Sequence, residues 1–313
     1  MRALVTGAAG FVGSHLCEHL LAAGDEVSAL DAFTPYYARW RKDQNLGPLL
    51  GRDGFTFLEG DLGEMALEPI IDGVDVVYHL AGQPGVRSSW GLAFGTYVQH
   101  NVLATQRLLE ACRRHPPGKV IFASSSSIYG DVESYPVSES TCPHPVSPYG
   151  VTKLAAERLC DVYRVNYGVP TASLRLFTVY GPRQRPDMAF ARLVSCALEG
   201  GVFEVWGDGE QTRDCTFVHD VVTAMRAAAS AKWVGVANIG GGLHVSVNEA
   251  IAMLSQICGP IKVTRRASSA GDVRHTGADT RLAASSFGYR PQTTLDEGLQ
   301  AMVDWEGSRA VPA

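Results

Sequence analysis

Met1-Arg2-Ala3-Leu4-Val5-Thr6-Gly7-Ala8-Ala9-Gly10-Phe11-Val12-Gly13 is the stretch that decides the fold. A short apolar run enters a glycine loop, and a helical pattern starts at once. Gly7 permits a tight turn, Gly10 lets the backbone approach a pyrophosphate, and Gly13 allows close packing of helix on strand. The helix start, at Phe11 and Val12, offers unpaired N–H groups and a partial positive charge to phosphates. Asp31 ends the second apolar run, 18 residues beyond Gly13. Its carboxylate is suited to accept hydrogen bonds from adenosine ribose hydroxyls and to repel a 2′-phosphate. The reading is a dinucleotide site with NAD preferred over NADP.

Working outward, apolar runs at 2–5, 26–30, 55–58, 74–79, 119–123 and 171–176 read as buried parallel strands. Helical patterns near 11–23, 90–114 and 149–167 alternate with them. Repeated β-α units imply an α/β fold: a Rossmann-type doubly wound parallel sheet covered on both faces. After residue 177 Gly and Pro become frequent, as in Gly181-Pro182, Gly207-Asp208-Gly209 and Gly240-Gly241-Gly242. That texture predicts a smaller C-terminal substrate-binding lobe closing over the strand ends. The expected division is 1–177 for the NAD-binding domain and 178–313 mainly for the lobe, with 212–235 returning to the first domain through a helix at 218–231.

Composition narrows the class. The 313 residues are 46% hydrophobic and 19% charged, with net charge -5. No basic run supports nucleic-acid binding. No apolar stretch reaches membrane-spanning length, and the N-terminal run is too short for a signal peptide. Seven cysteines, an odd number with no Cys-x-x-Cys among them, suggest neither a disulfide framework nor a metal site. A reduced, cytoplasmic protein is expected.

Tyr149 and Lys153 lie four apart in Ser147-Pro148-Tyr149-Gly150-Val151-Thr152-Lys153, on the first turn of a predicted helix. Both project from one face. A free phenol titrates near ~10 and is no base near neutrality. An ammonium one turn away is expected to favour the phenolate. A serine cluster, Ser124-Ser125-Ser126-Ser127, lies upstream.

Together with the Gly7, Gly10 and Gly13 spacing, Tyr149-x-x-x-Lys153 resembles the short-chain dehydrogenase/reductase superfamily, in the extended branch that acts on nucleotide sugars. Gly60-Asp61-Leu62 resembles that family's adenine contact, and His79-Leu80-Ala81-Gly82 the strand end beside the cofactor. Phe122-Ala123-Ser124-Ser125-Ser126-Ser127-Ile128-Tyr129-Gly130 resembles the catalytic serine/threonine stretch. The resemblance implies that Tyr149 takes a sugar hydroxyl proton while hydride leaves the same carbon for NAD. Lys153 would lower the tyrosine pKa and bind the nicotinamide ribose. A serine hydroxyl would hold the reacting oxygen, Ser125 first, with Ser126 and Ser127 close behind. Tyr129 reads as structural, His79 as a satisfied core histidine and Asp220 as a helix N-terminal charge. The family also implies a homodimer formed through the helices at 90–114 and 149–167.

The residues after Ser125 bear on the reaction. The family's 4,6-dehydratases carry an Asp-Glu pair where Ser126 and Ser127 stand, and its decarboxylases a Glu at the Ser127 position. This chain departs from both, which leaves 4-epimerisation. Gly181-Pro182-Arg183-Gln184-Arg185-Pro186-Asp187-Met188-Ala189, Tyr36-Tyr37 in a long loop, and Gln83-Pro84-Gly85-Val86-Arg87 resemble the UDP-glucuronate 4-epimerases. Arg185 would meet the sugar's C6 carboxylate, with Thr178 and Ser127 supplying further contacts. Arg213, then Arg274 in Gly271-Asp272-Val273-Arg274, then Arg192 would serve the diphosphate, and Trp206 would pack in the core or shape the nucleotide pocket. Rival expectations are a neutral UDP-hexose epimerase such as one acting on UDP-glucose, a decarboxylase or dehydratase of the same branch, and a catalytically silent NAD-binding regulator.

Overall fold

The computed structural model describes residues 1–132, 134–267 and 273–308. Gly271 and Asp272, and residues 309–313 at the end of the expected lobe, lie outside the described residues.

Seven parallel strands form the central sheet: β1 (Arg2–Thr6), β2 (Glu26–Asp31), β3 (Phe55–Glu59), β4 (Val76–His79), β5 (Lys119–Ser125), β6 (Thr171–Leu176) and, arriving late in the chain, Gly235–Ile239. Their spatial order is β3-β2-β1-β4-β5-β6, with Gly235–Ile239 on the outer edge beside β6. The order reverses at β1, which pairs β2 on one side and β4 on the other. Reversal opens a crevice at the strand C-termini, where this class of sheet binds ligands.

Side-chain alternation shows why both faces must be covered. Ala3, Val5, Val76, Tyr78, Ile121 and Ala123 enter one core. Their neighbours Leu4, Val77, Val120 and Phe122 enter the other. A strand points successive residues to opposite faces, so continuous apolar runs need an apolar layer on each side. Helices Phe11–Ala22 and Val218–Ser230 pack together on the first face, giving Leu16, Leu20, Val221 and Met225. Helices Ala104–Arg114 and Pro148–Tyr167 cover the second, giving Leu108 and Cys160.

After β6 come β7 (Thr178–Tyr180), β8 (Val202–Trp206) and β9 (Thr212–Phe217). The edge strand Gly235–Ile239 is β10, followed by β11 (His244–Ser246) and β12 (Lys262–Arg266). They build a three-stranded sheet, β11-β9-β7, and a two-stranded one, β12-β8. Helices Ala189–Glu199 and Val247–Cys258 pack beside them.

Two segments differ from the sequence reading. The continuous helix expected at 90–114 is instead a 3₁₀ turn (Gly91–Ala93), a short α-helix (Phe94–Tyr97), a π-helical stretch (Val98–Leu103) and the α-helix Ala104–Arg114. The wider π turn places Asn101 in the interior. There its side chain accepts from the Gln83 N–H at 2.7 Å and donates to the Gln83 carbonyl and to Thr152 Oγ1. The loop expected after Asp31 contains the helix Arg39–Leu46. Its sequence, Arg-Trp-Arg-Lys-Asp-Gln-Asn-Leu, has too few apolar residues to show a helical period. Tertiary bonds hold it: Asn45 Nδ2 donates to the Ala9 carbonyl at 2.9 Å, tying the helix to the glycine turn.

Candidate active site

β1 ends at Thr6, and the chain turns over Gly7 at φ 72°. A Cβ at Gly7 would lie 2.8 Å from the Ala81 nitrogen, so only glycine lets the two strand ends meet. A Cβ at Gly13 would overlap the Gly7 carbonyl oxygen. Gly10 caps the helix without a side-chain bond, which leaves the first-turn N–H groups for a ligand. The groove beyond is lined by Gly7, Gly10, Phe11, Val12, Gly13, Asp31, Asp61, Leu62, Leu80, Ala81 and Gly82. A bare helix start, a glycine cradle and a fixed acidic group fit a dinucleotide.

Asp31 is buried, and local bonds hold its carboxylate. It accepts from the Ala9 N–H at 3.1 Å and the Phe33 N–H at 2.8 Å. Lys42 stands 3.6 Å from it and lines the same groove. Sequence reasoning missed Lys42. The signal was a lysine eleven places after Asp31, hidden in a run that reads as a charged loop.

The groove continues into a cleft lined by Ser125, Ser126, Ser127, Tyr149, Lys153, Thr178 and Arg185. Phe11, Val12, Leu80, Gly82 and Arg185 border both spaces. Asn101, which the sequence did not single out, also lines the cleft. Strand β5 delivers the serines at its C-terminal end. Ser125 Oγ accepts from the Ser127 N–H at 3.1 Å and so caps the next turn. Helix Pro148–Tyr167 starts beside it, with Ser147 Oγ accepting from the Gly150 N–H and Pro148 in the first turn. Gly150 lies so close to the Ser127 carbonyl that a Cβ would reach 2.5 Å from its oxygen. That close approach sets Tyr149 against the serines.

Of the three serines, it is the Ser125 hydroxyl that acts on the Tyr149 phenol, favouring its ionised form. Its ring meets Tyr97 edge-on, with centroids 6.2 Å apart. Burial holds the phenol above its ordinary range. The Ser125 hydroxyl and the charge of Arg185 pull it down, while Tyr97 adds to the rise. Here the electrostatics depart from the sequence reading, which gave the lowering to Lys153. Burial pushes Lys153 itself down to about 8, against the opposing influence of Cys160 and Glu157. Its ammonium sits 4.4 Å from the centre of the Phe122 ring, in apolar surroundings. In the protein alone, the cation acting on the phenol is Arg185.

Arg185 is forked onto Asp187, with Nε to Oδ1 and Nη2 to Oδ2 both 3.0 Å. The three arginines expected at the diphosphate do not line the cleft with Tyr149. Arg192 lies 5.7 Å from the Phe203 ring centre. Arg213 Nη1 donates to the Thr212 carbonyl at 2.9 Å. Arg274 is forked onto Asp208, at 3.1 and 2.8 Å. The carboxylate of Gly207-Asp208-Gly209 thus takes up the charge of Arg274. Arg87 lies 4.9 Å from the Trp206 ring centre, joining the loop after β4 to β8.

Beneath the site, Ser124 Oγ donates to Glu157 Oε2 at 2.7 Å. Arg175 donates to both Glu157 oxygens, at 3.0 and 2.7 Å, and to the Tyr129 hydroxyl at 2.6 Å. Tyr129 in turn donates to Asn238 Oδ1, so it is a structural ring. His79 is buried between Thr6 Oγ1 and Thr105 Oγ1, each 2.9 Å away, and burial drives its pKa down to about 3. It is a satisfied core histidine. Asp220 stands in the first turn of its helix and also accepts from the Gln292 and Thr293 N–H groups.

A model of the NAD dependent epimerase/dehydratase family matches residues 3–240. A Bacillus subtilis protein named as an uncharacterized UDP-glucose epimerase, YtcB, is 46% identical, with 96% of each chain covered. The crystal structure of a Bacillus cereus UDP-glucuronic acid 4-epimerase, in complex with UDP-glucuronic acid and NAD, is 43% identical with TM-score 0.96, covering 99% of this chain and 100% of that one. MoeE5, in complex with UDP-glucose and NAD, is 42% identical with TM-score 0.90, covering 99% of each chain. The glycine cradle, the Tyr149–Ser125 pair and these matches lead to one conclusion: the chain belongs to the NAD-dependent epimerase/dehydratase family, in the extended branch of the short-chain dehydrogenases/reductases.

Proposed function

We propose that this protein is a UDP-glucuronate 4-epimerase, interconverting UDP-glucuronate and UDP-galacturonate through a transient 4-keto sugar. The observation that carries the reading is Arg185, a guanidinium lining the same cleft as Tyr149, Ser125 and Thr178. Ser126 and Ser127 offer hydroxyls there and no carboxylic acid, in keeping with epimerisation over dehydration.

In this reading Tyr149 accepts the C4 hydroxyl proton as hydride leaves C4, and Ser125 holds the same oxygen in line. When bound, NAD would supply the acceptor and donor of that hydride. Lys153 contacts the nicotinamide ribose. Ser126 stands beside the reacting oxygen. Gly7, Gly10, Phe11, Val12, Gly13, Asp31, Asp61, Leu62, Leu80, Ala81 and Gly82 hold the dinucleotide. Arg185, Thr178 and Ser127 hold the C6 carboxylate, and Arg192, Arg213 and Arg274 are the residues proposed for the diphosphate. A 4-keto uronate is a β-keto acid. It loses CO₂ only when its C5–carboxylate bond aligns with the carbonyl π system. Arg185 and Thr178 hold that bond near the carbonyl plane and keep the anion stabilised.

Residues 1–177 form the NAD-binding domain, joined by helix Val218–Ser230 and the edge strand Gly235–Ile239 rather than by all of 212–235, and 178–313 is mainly the sugar-nucleotide lobe. The enzyme works in the cytoplasm as a homodimer. Exposed Val151, Val162, Val165 and Tyr167 on helix Pro148–Tyr167 support the dimer. Seven unpaired cysteines support a reducing compartment. Among the described residues no helix is long and apolar enough to cross a membrane.

A second reading, a UDP-glucose 4-epimerase, is favoured by the Asp187 carboxylate on Arg185 and by the name of the YtcB relative. The test is incubation of NAD-loaded protein with UDP-glucuronate and no added NAD. UDP-galacturonate is expected. UDP-pentose with CO₂, or no turnover beside turnover of UDP-glucose, would overturn the assignment.

A further inference from the structure

Arg185 sits in an unusual position for a carboxylate anchor, because a carboxylate already holds it. Asp187 engages the Nε/Nη2 edge at 3.0 Å on both atoms, the geometry of a strong charge-assisted pair. The Tyr36 hydroxyl donates to Asp187 Oδ2 at 3.2 Å, and Arg185 lies 5.8 Å from the Tyr36 ring centre. Tyr36 also bonds Ser88 Oγ at 3.2 Å, and Ser88 bonds the Tyr97 hydroxyl at 2.7 Å. Tyr97 is the ring packed against Tyr149. A continuous polar chain therefore fixes Asp187 in place. Arg185 lines the cleft, whereas Asp187 does not and stands 38% exposed behind it.

We propose that Asp187 is a specificity-determining residue: its carboxylate occupies and neutralises the guanidinium that faces the sugar's C6 position, and so restrains the preference for a C6 carboxylate over a C6 hydroxyl. The inference rests on the assignment of Arg185 to C6. Asp187 competes with a uronate for the same donors and cancels part of the charge that attracts it. A neutral hexose feels neither effect.

The test compares kcat/KM for UDP-glucuronate and UDP-glucose in NAD-loaded Asp187→Asn, which keeps the side chain's shape and one acceptor oxygen. Removing one charge near the C6 site is expected to raise the uronate-to-hexose ratio on the order of tenfold, chiefly through a lower KM for the uronate. Asp187→Ser should move the ratio the same way. An unchanged or lower ratio in both variants overturns the inference. Arg185→Ala separates the two layers. If it lowers the ratio while the Asp187 variants leave it alone, only the role of Asp187 fails. If it leaves the ratio untouched, the C6 assignment of Arg185 fails with it.

Discussion

Ser125→Ala is the perturbation whose size follows most directly from the geometry. Among the three candidate serines only the Ser125 hydroxyl acts on the Tyr149 phenol, and it favours the phenolate. Burial raises the phenol, so the lowering contacts decide whether it ionises in a useful range. A hydrogen bond to a charged group contributes about 1.5–3 kcal/mol. One pKa unit corresponds to about 1.36 kcal/mol. Losing this interaction should therefore raise the Tyr149 pKa further. The phenolate is the charged form and the active one, so the rising limb of the pH–rate profile moves to higher pH. Below that limb kcat should fall about 10- to 100-fold. The assay is kcat for UDP-glucuronate from pH 6 to 10 with NAD-loaded protein. Because Ser125 also caps the following turn, its alanine variant should lose about 1 kcal/mol of stability. Ser125→Thr keeps the hydroxyl and should restore rate and profile. Ser126→Ala and Ser127→Ala should leave the limb in place. A Ser125→Ala profile with an unmoved limb would refute the reasoning.

Glu157→Gln leaves the Arg175 charge buried without its ion partner, at a cost of about 3–5 kcal/mol. A lower melting temperature checks this, and adding Arg175→Met should recover part of the loss. Gly13→Ala forces the helix away from the Gly7 carbonyl, so the purified protein should lose its retained NAD, seen as a lower 260/280 nm absorbance ratio. His79 titrates near 3 in the fold against 6.5 as its ordinary value, so the unfolded chain binds more protons between those limits. Stability should then fall as pH drops below about 6.5, by up to ~1.4 kcal/mol per unit from this residue. Urea midpoints between pH 7 and 4 measure it, and a flat dependence would contradict the buried neutral imidazole.

Much of the fold was legible because β1, β2, β4, β5 and β6 are buried on both faces and appear as apolar runs. The glycine turn was legible because its three glycines answer steric demands that act within ten residues. β10 was not: Gly235-Val236-Ala237-Asn238-Ile239 was not among the apolar runs read as strands, and its pairing with β6 makes it one. Helix Arg39–Leu46 was hidden for the same reason, since bonds to distant groups stabilise it. Tyr149 and Lys153 were singled out by their spacing, and Ser125 through the family resemblance. The cation that acts on Tyr149 was not, because Arg185 reaches it across the cleft from 36 residues away in sequence. Lys42 and Asn101 depend on helix geometry that no local pattern announced.

The central claim is that hydride leaves C4 and returns to it within one site, on a cofactor the enzyme keeps. UDP-glucuronate carrying deuterium at C4, turned over by NAD-loaded protein without added cofactor, tests it in one step. The account predicts UDP-galacturonate with the deuterium still on C4. Inverted product in which that deuterium has been replaced by solvent hydrogen would contradict it.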